Sequence, residues 1–142
     1  MSTEAEVRGA SAEFYAALNR MTEGDAGQLA DIWSHSATVT TMHPIGGEQV
    51  GWRAVRESFE QVAGLASGGH IELDGQVIQV GGELAYELGL ERGQVKIAGE
   101  SVPIEQRVTN VYRREAGEWK IVHHHTDISP AMLGILERLQ AA

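Results

Sequence analysis

The order in which the spacing of apolar residues changes along the chain constrains the fold more than any other feature. Apolar residues recur every three or four positions in 3–21 and again in 52–66, which predicts two helices that each bury one face. From residue 71 to residue 126 the pattern changes to short strand-like runs separated by glycine-bearing turns. Helices followed by strands indicate an α+β domain with helices packed on one face of an antiparallel sheet.

The remaining elements follow from local signals. Asp25 and Gln28 resemble a capping box that opens a short second helix, and a β-branched run predicts a short strand that ends near Met42. Ser129 as N-cap and Pro130 at the first helical position predict a closing helix. The long strands are predicted at about 71–80, 83–92, 94–112, with a break allowed at Pro103, and 118–126.

Strict alternation in the second of these strands predicts which of its side chains are buried. Its apolar residues fall on one face of the strand, and glutamates share the other face with small residues. We therefore expect the apolar set to face the core: Leu84, Tyr86, Leu88 and Leu90.

Length, charge and cysteine content exclude several classes of protein. The chain has 142 residues, of which 42% are hydrophobic, so we expect a single domain over 1–142. A net charge of -9 with scattered basic residues argues against nucleic acid or an anionic membrane as a partner. The absence of cysteine excludes disulfides, thiolate catalysis and Cys-based zinc sites. No signal peptide or membrane-spanning run is apparent, so we expect a cytoplasmic location.

Three stretches resemble segments of the nuclear transport factor 2-like superfamily, which includes SnoaL-like polyketide cyclases and ketosteroid isomerase. They are "YAALNRMTEGD", "SATVTTMHPIGGEQVGWRAVRESF" and "VTNVYRREAGEWKIVHHHTD". The last is also similar to the closing hairpin of the association domain of calcium/calmodulin-dependent protein kinase type II. The resemblance implies a single SnoaL-like domain, in which a cone-shaped, curved, antiparallel or mixed sheet wraps around the N-terminal helices. It also implies a blind pocket for a small molecule and a homodimer formed through the outer sheet face.

The resemblance also assigns positions in the presumed pocket. The Asp-Pro pair that carries the isomerase's general base falls on His43-Pro44, and histidine can accept a proton near neutral pH. The isomerase's hydrogen-bond-donating tyrosine falls on Phe14, and its protonated aspartate falls on Thr109. Tyr15 and Tyr86 are the nearest candidate donors. A steroid isomerase mechanism therefore lacks its electrophile.

Three consecutive histidines follow the apolar start of the last strand. Alternation alone places His123 and His125 on the same face as Trp119 and Ile121, which predicts that these two histidines point inward. The resemblance implies the opposite, because Val122, His124 and Thr126 match pocket-facing positions of the isomerase and of the kinase association domain. We expect His124 to face the pocket, with His123 and His125 on the dimer surface. No metal-binding spacing accompanies them, so we expect no metal.

Several further residues are candidates for the pocket lining. Arg107 pointing inward would suit a carboxylate ligand, but it could equally form a surface salt bridge with Glu105 or a neighbouring strand. The arginines that line the pocket of the kinase association domain fall on Leu88 and Thr126, which weakens carboxylate binding by that route. The predicted ligand-binding residues are Tyr15, Trp33, Phe59, Tyr86, Leu88, Arg107, Thr109, Val122 and Thr126.

Two functions remain open from the sequence. The first is cofactor-free acid/base chemistry on a carbonyl compound, as an isomerase, cyclase or dehydratase, with His43 as base and His124 as second proton donor or polarising group. The second is a non-catalytic ligand-binding or oligomerisation module like the kinase association domain.

Overall fold

The structure, a computed structural model, describes residues 2–141. Its helices are α1 (Thr3–Met21), α2 (Leu29–Ile32), α3 (Trp52–Leu65) and α4 (Pro130–Ala141). Its strands are β1 (Thr40–Met42), β2 (Gln49–Val50), β3 (Ala66–Gly81), β4 (Leu84–Ile97), β5 (Glu100–Glu115) and β6 (Glu118–Thr126). None of the helices within this range combines the length and apolar character needed to cross a bilayer.

The strands form one open, curved sheet in the order β2-β1-β6-β5-β4-β3. The pairing is antiparallel except between β1 and β6, which run parallel, so the sheet is mixed. The helices pack on its concave face, hereafter the inner face. The prediction of an α+β fold with a curved sheet around N-terminal helices is confirmed.

Helix α1 has the predicted bounds and the predicted buried face. The Ser2 side chain accepts a hydrogen bond from the Ala5 backbone N–H and caps the helix. The apolar stripe of the helix is buried against β3 and β6, and its members are Val7, Ala10, Phe14, Ala17, Leu18 and Met21. The capping-box prediction for α2 is wrong, because Asp25 instead accepts a hydrogen bond from the Gly27 backbone N–H in a local turn.

The long strands extend further than predicted. β4 continues through Gly93 to Ile97, and the turn into β5 lies at Ala98 and Gly99. β5 runs unbroken through Pro103, on a stretch that pairs with β4 but lies outside its pairing with β6. Because this stretch has a strand on one side only, the missing N–H of proline interrupts less pairing than it would in a central strand.

The prediction of which β4 side chains face the core is wrong. Ala85, Glu87 and Glu91 are buried on the inner face, whereas Leu84 and Tyr86 are 51% and 45% exposed on the outer face. Leu88 and Leu90 share the parity of that outer set. The glutamates are tolerated inside because tyrosine, asparagine and glutamine side chains from α1, β3 and β5 donate hydrogen bonds to them.

A β-bulge resolves the two conflicting predictions for the histidine triplet. Val111 pairs with His123. The next residue of β5, Tyr112, pairs with Ile121, which leaves Val122 as an extra residue in β6. The extra residue shifts the alternation by one position. Inner-face residues therefore occur on both sides of the bulge, namely Trp119, Ile121, His124 and Thr126.

Helix α4 packs over the end of the sheet where β4 leads into β5. As predicted, the Ser129 hydroxyl caps it by accepting a hydrogen bond from the Met132 backbone N–H. Met132 and Ile135 then pack on the far ends of β4 and β5, against Val95, Ile97, Val102 and Ile104. This small second cluster of apolar residues covers the cavity that α1, α3 and the sheet leave open.

Candidate functional site

A cavity of about 60 Å³ lies between the inner face of the sheet and helices α1, α3 and α4. Most of its wall is apolar, with Leu18, Phe59, Val62, Ile71 and Met132 among the lining residues. Four polar side chains complete the wall: His43, Glu91, Gln106 and His124. An adjoining cleft of about 200 Å³ shares four lining residues with the cavity, so these residues lie between the two spaces: His43, Ile45, Val62 and Met132.

His43 lies directly after β1 and before Pro44, and it is 6% exposed. Ser58 Oγ donates its only proton to the Val55 carbonyl at 2.6 Å, so it accepts a hydrogen bond from His43 Nε2–H at 2.8 Å. The neutral ring therefore carries its free lone pair on Nδ1. Burial lowers the pKa of His43 to about 4, which keeps the ring neutral at pH 7.

The Asn110 side chain defines the tautomer of His124. The Asn110 amide nitrogen donates to Glu87 at 3.0 Å and to the Tyr15 hydroxyl at 3.1 Å. Its oxygen therefore faces His124 and accepts a hydrogen bond from Nδ1–H at 2.6 Å, which leaves the lone pair on Nε2. Burial lowers the pKa of His124 well below its ordinary value, and the nearby His43 lowers it further.

The two rings lie close to one another on the cavity wall, with centroids 6.4 Å apart. Phe59 contacts His43 edge-on at 4.8 Å, and Phe14 contacts His124 in the same way at 5.2 Å. These aromatic neighbours fix the ring orientations and exclude water from one side of each ring. The structure therefore brings the two predicted catalytic residues together on the wall of one cavity.

Glu91 is a buried carboxyl group on the same wall, 2% exposed. Tyr15 donates its hydroxyl to Oε2 at 2.9 Å, and Gln106 donates its amide to Oε1 at 2.8 Å. Burial raises the pKa of Glu91 to about 6, although both hydrogen bonds favour the charged form. The carboxyl group can therefore exchange a proton close to neutral pH.

Glu91, Gln106 and Asn110 are polar residues of the site that the sequence prediction missed. The available signal was spacing: Glu87 and Glu91 are four residues apart, as are Gln106 and Asn110, so each pair shares one face of its strand. Because that face holds carboxylates and amides, it looked like the solvent side of the sheet.

Of the other predicted lining residues, Phe59 lines the cavity itself. Tyr15 is buried behind the wall and reaches the cavity through its hydrogen bond to Glu91. Trp33 is buried in the main core, 6.3 Å from Trp52 between ring centroids. Val122 packs against the same core, and Thr126 is buried on the inner face. Neither Trp33, Val122 nor Thr126 is among the cavity-lining residues within 2–141.

Four predicted lining residues face outward, so their assignment to the pocket is corrected. Tyr86 and Leu88 are exposed on the outer face, and Thr109 pairs there with Leu88. Arg107 is also outside, where it forms a two-point ion pair with Asp127 at 2.9 and 3.0 Å. In β4 the alternation was assigned to the wrong parity. In β5 the resemblance placed Thr109 at an inner position that Asn110 occupies, and Arg107 forms a surface salt bridge, which was the alternative to an inward position.

His123 and His125 lie on the outer face, as expected, with ring centroids 5.9 Å apart. His123 Nδ1 shares a hydrogen bond with the Thr40 hydroxyl at 2.6 Å. Burial lowers the pKa of His123, and the neighbouring His125 adds to this effect. The two rings are separated from the cavity by the sheet.

The fold is similar to several solved structures. A candidate dehydratase of the nuclear transport factor 2-like family from Streptomyces avermitilis has 23% identity and a TM-score of 0.77, and the match covers 89% of this chain and 96% of that chain. A candidate calcium/calmodulin-dependent protein kinase type II association domain from Thiobacillus denitrificans has 27% identity and a TM-score of 0.69, over 86% and 94% of the two chains. A candidate ketosteroid isomerase from Shewanella frigidimarina has 19% identity and a TM-score of 0.67, over 84% and 92%.

No curated protein matches the chain. The SnoaL-like domain profile matches residues 7–132, which include every element from β1 to β6 and all four polar residues of the cavity. The chain therefore belongs to the SnoaL-like domain family.

Proposed function

We propose that the protein binds a small carbonyl compound in the cavity and catalyses its isomerisation, cyclisation or dehydration by proton transfer without a cofactor. One observation carries this proposal: His43 and His124 lie on the wall of one cavity, and each has an unprotonated ring nitrogen. Buried titratable groups that converge on an apolar cavity are typical of acid/base sites.

In the proposed reaction, His43 Nδ1 removes a proton from the carbon next to the carbonyl group. The carbon–hydrogen bond breaks, and its electron pair moves toward the carbonyl oxygen to form an enolate. In an isomerisation the proton returns to another carbon. In a dehydration it leaves with a hydroxyl group as water. Two neighbouring imidazolium ions repel each other, so we expect only one of the two rings, His43 or His124, to carry the removed proton at a time.

Charge on the enolate oxygen needs a partner in this cavity. Tyr15 donates its hydroxyl to Glu91, and Tyr86 lies on the other side of the sheet, so neither tyrosine is placed to donate to the ligand. The histidine that has taken up the proton is then the nearest positive group. Glu91 can relay that proton, since its pKa of about 6 lies close to neutral pH.

Deuterium exchange tests the proposal directly. In D₂O, 4-hydroxybutan-2-one should gain deuterium next to its carbonyl group faster with the protein than without it, as followed by proton NMR. We expect His43→Asn or His124→Asn to lower this enhancement at least roughly a hundredfold, the range typical of a lost general base. His70→Asn is the matched control, because His70 is exposed on β3. Equal exchange in the wild type and in folded His43→Asn and His124→Asn proteins would contradict the proposal.

The outer sheet face favours a second candidate function, a non-catalytic module that acts through assembly. Large apolar side chains are exposed there without a covering element in the described residues, namely Val77, Leu84, Tyr86 and Leu88. We propose that a second copy of the chain covers this face in a homodimer. An assembled protein that fails the exchange assay with both histidines intact would support the module.

A further inference from the structure

We infer that Gln106 and Glu91 form a subsite for a ligand hydroxyl group, so that the compound bound in the cavity is a small hydroxy compound. The inference deepens the proposed function and rests on the same cavity. Its starting point is Gln106, which is 6% exposed and lines the cavity next to Glu91.

The Gln106 side chain has one unsatisfied polar atom. Its amide nitrogen donates to Glu91 Oε1, but its amide oxygen has no hydrogen-bond partner among residues 2–141. Rotating the amide by half a turn would place that oxygen against the Glu91 carboxylate, so the carboxylate fixes the orientation. A buried acceptor without a donor is costly, and a hydroxyl group in the cavity would satisfy it.

The other polar groups of the cavity wall also act as acceptors. The N–H groups of both histidines are already engaged, His43 with Ser58 and His124 with Asn110. The Tyr15 hydroxyl is engaged with Glu91. The free positions are therefore lone pairs on His43 Nδ1, His124 Nε2 and the Gln106 oxygen, together with the remaining lone pairs of Glu91.

A wall of acceptors discriminates between ligands that donate and ligands that only accept. An alcohol can donate its proton to Gln106, whereas a ketone oxygen at the same place would face lone pairs. A hydroxyl group also suits the apolar part of the wall better than an ammonium group, because burying a charge carries a larger desolvation cost. The subsite therefore favours dehydration among the three proposed reactions, with the departing hydroxyl group held at Gln106 and Glu91.

A pair of probes of equal size tests the subsite in the wild-type protein. Butan-2-ol and butan-2-one have the same number of heavy atoms, but only the alcohol can donate a hydrogen bond. At pH 8, where Glu91 is ionised, each probe is titrated into ¹⁵N-labelled protein while the Gln106 side-chain amide signal is followed. We expect the dissociation constant of the alcohol to be lower by a factor of roughly three to ten, the effect of one net hydrogen bond.

Three results of this titration would overturn the inference. They are equal or tighter binding of the ketone, no shift of the Gln106 signal with either probe, and tighter binding of butan-2-amine than of the alcohol. The last would indicate a cation site instead of a hydroxyl site.

A variant then assigns the preference to Gln106. Gln106→Met keeps the length of the side chain and removes the acceptor, so the preference for the alcohol should disappear. Gln79→Met is the matched control, because Gln79 is exposed on the outer face, opposite Tyr86, and should leave the preference unchanged. A folded Gln106→Met protein that still prefers the alcohol would contradict the subsite. If that variant does not fold, the wild-type comparison decides.

The two proposals fail separately. A preference for the alcohol without catalysed deuterium exchange would leave the subsite standing and remove the proposed enzymatic function. Catalysed exchange without a preference for the alcohol would support the enzymatic function and remove the hydroxyl subsite.

Discussion

Two histidines that share a small cavity restrict each other's charge. His43 and His124 are both buried, and both have a lowered pKa, so neither ring carries a charge near pH 7. Glu91 differs, because burial raises its pKa to about 6. Acceptance of a proton by one histidine is favoured only when an anionic group compensates for it. Glu91 is the ionisable group on the same wall that can do so.

Acid should destabilise the protein through His43. Between pH 6.5, the ordinary pKa of histidine, and pH 4, the unfolded chain binds a proton that the folded chain does not, so stability falls as the pH falls. The difference between the two pKa values corresponds to about 3 kcal/mol. His124 acts in the same direction. Glu91 has the opposite effect on stability between pH 4.5, the ordinary pKa of glutamate, and about pH 6, its pKa in the folded chain. In this range the folded chain binds a proton that the unfolded chain does not.

Urea unfolding of the wild type and of His43→Gln at pH 6.5 and pH 4 measures this effect. The free energy of unfolding should decrease with acid in the wild type, and the decrease should be smaller by about 3 kcal/mol in the variant. His70→Gln, on the exposed part of β3, should behave like the wild type. A decrease of the same size in the wild type and in His43→Gln would show that the pKa of His43 is not lowered in the folded protein.

The site residues differ in how far sequence could reveal them. His43 could be placed because its position before Pro44 matches a family motif, and His124 because the resemblance outweighed simple alternation. Glu91 and Asn110 could not, since a carboxylate or amide at alternating positions normally indicates the solvent side. Their burial depends on partners far away in the chain, such as Tyr15, 76 residues before Glu91. A pattern of spacing within one strand carries no information about such partners.

At the scale of elements, one extra residue in β6 positions the site. The bulge at Val122 keeps Trp119 and Ile121 in the core while it turns His124 into the cavity. A regular strand would have placed either Trp119 and Ile121 or His124 outside. Helix α1 was predictable to the residue, because its stripe and cap are local signals. The bulge was not, since it is defined by pairing with β5.

The close approach of the paired strands β3 and β4 depends on a glycine. Gly93 has φ 145°, and a Cβ atom there would collide with the backbone carbonyl of His70 on β3. We therefore expect Gly93→Ala to destabilise the protein by about 3 kcal/mol or more, through both the backbone conformation and the collision. Chemical denaturation measures the change.

Gly64→Ala is the control for this substitution. Gly64 lies in α3 with no atom within 4 Å of an added Cβ, so alanine should leave stability unchanged or raise it by up to about 1 kcal/mol. If Gly93→Ala proved as stable as Gly64→Ala, the close approach of the two strands would be wrong.

At the scale of the whole molecule, each face of the sheet carries side chains that are unusual for its surroundings. The inner face buries carboxylates, amides and histidines around a cavity, and the outer face exposes leucine, valine and tyrosine to solvent. An apolar outer face is stable in water only when something covers it, whereas a polar inner face is stable only when its hydrogen bonds are made. The exposed apolar side chains of the outer face therefore point to association with a partner, and the buried polar side chains of the inner face point to a binding site.

Association can be measured and then disrupted at one residue. Leu88 lies near the middle of the outer face, where it pairs with Val77 on β3 and with Thr109 on β5. We expect light scattering after size exclusion to give twice the chain mass for the wild type and a single chain mass for Leu88→Glu, because burying an unpaired carboxylate in the contact is costly. Val50→Glu should remain a dimer, since Val50 is 60% exposed on β2 at the opposite edge of the sheet. A monomeric wild type would contradict the homodimer, and a dimer that tolerates Leu88→Glu would place the contact elsewhere on the molecule.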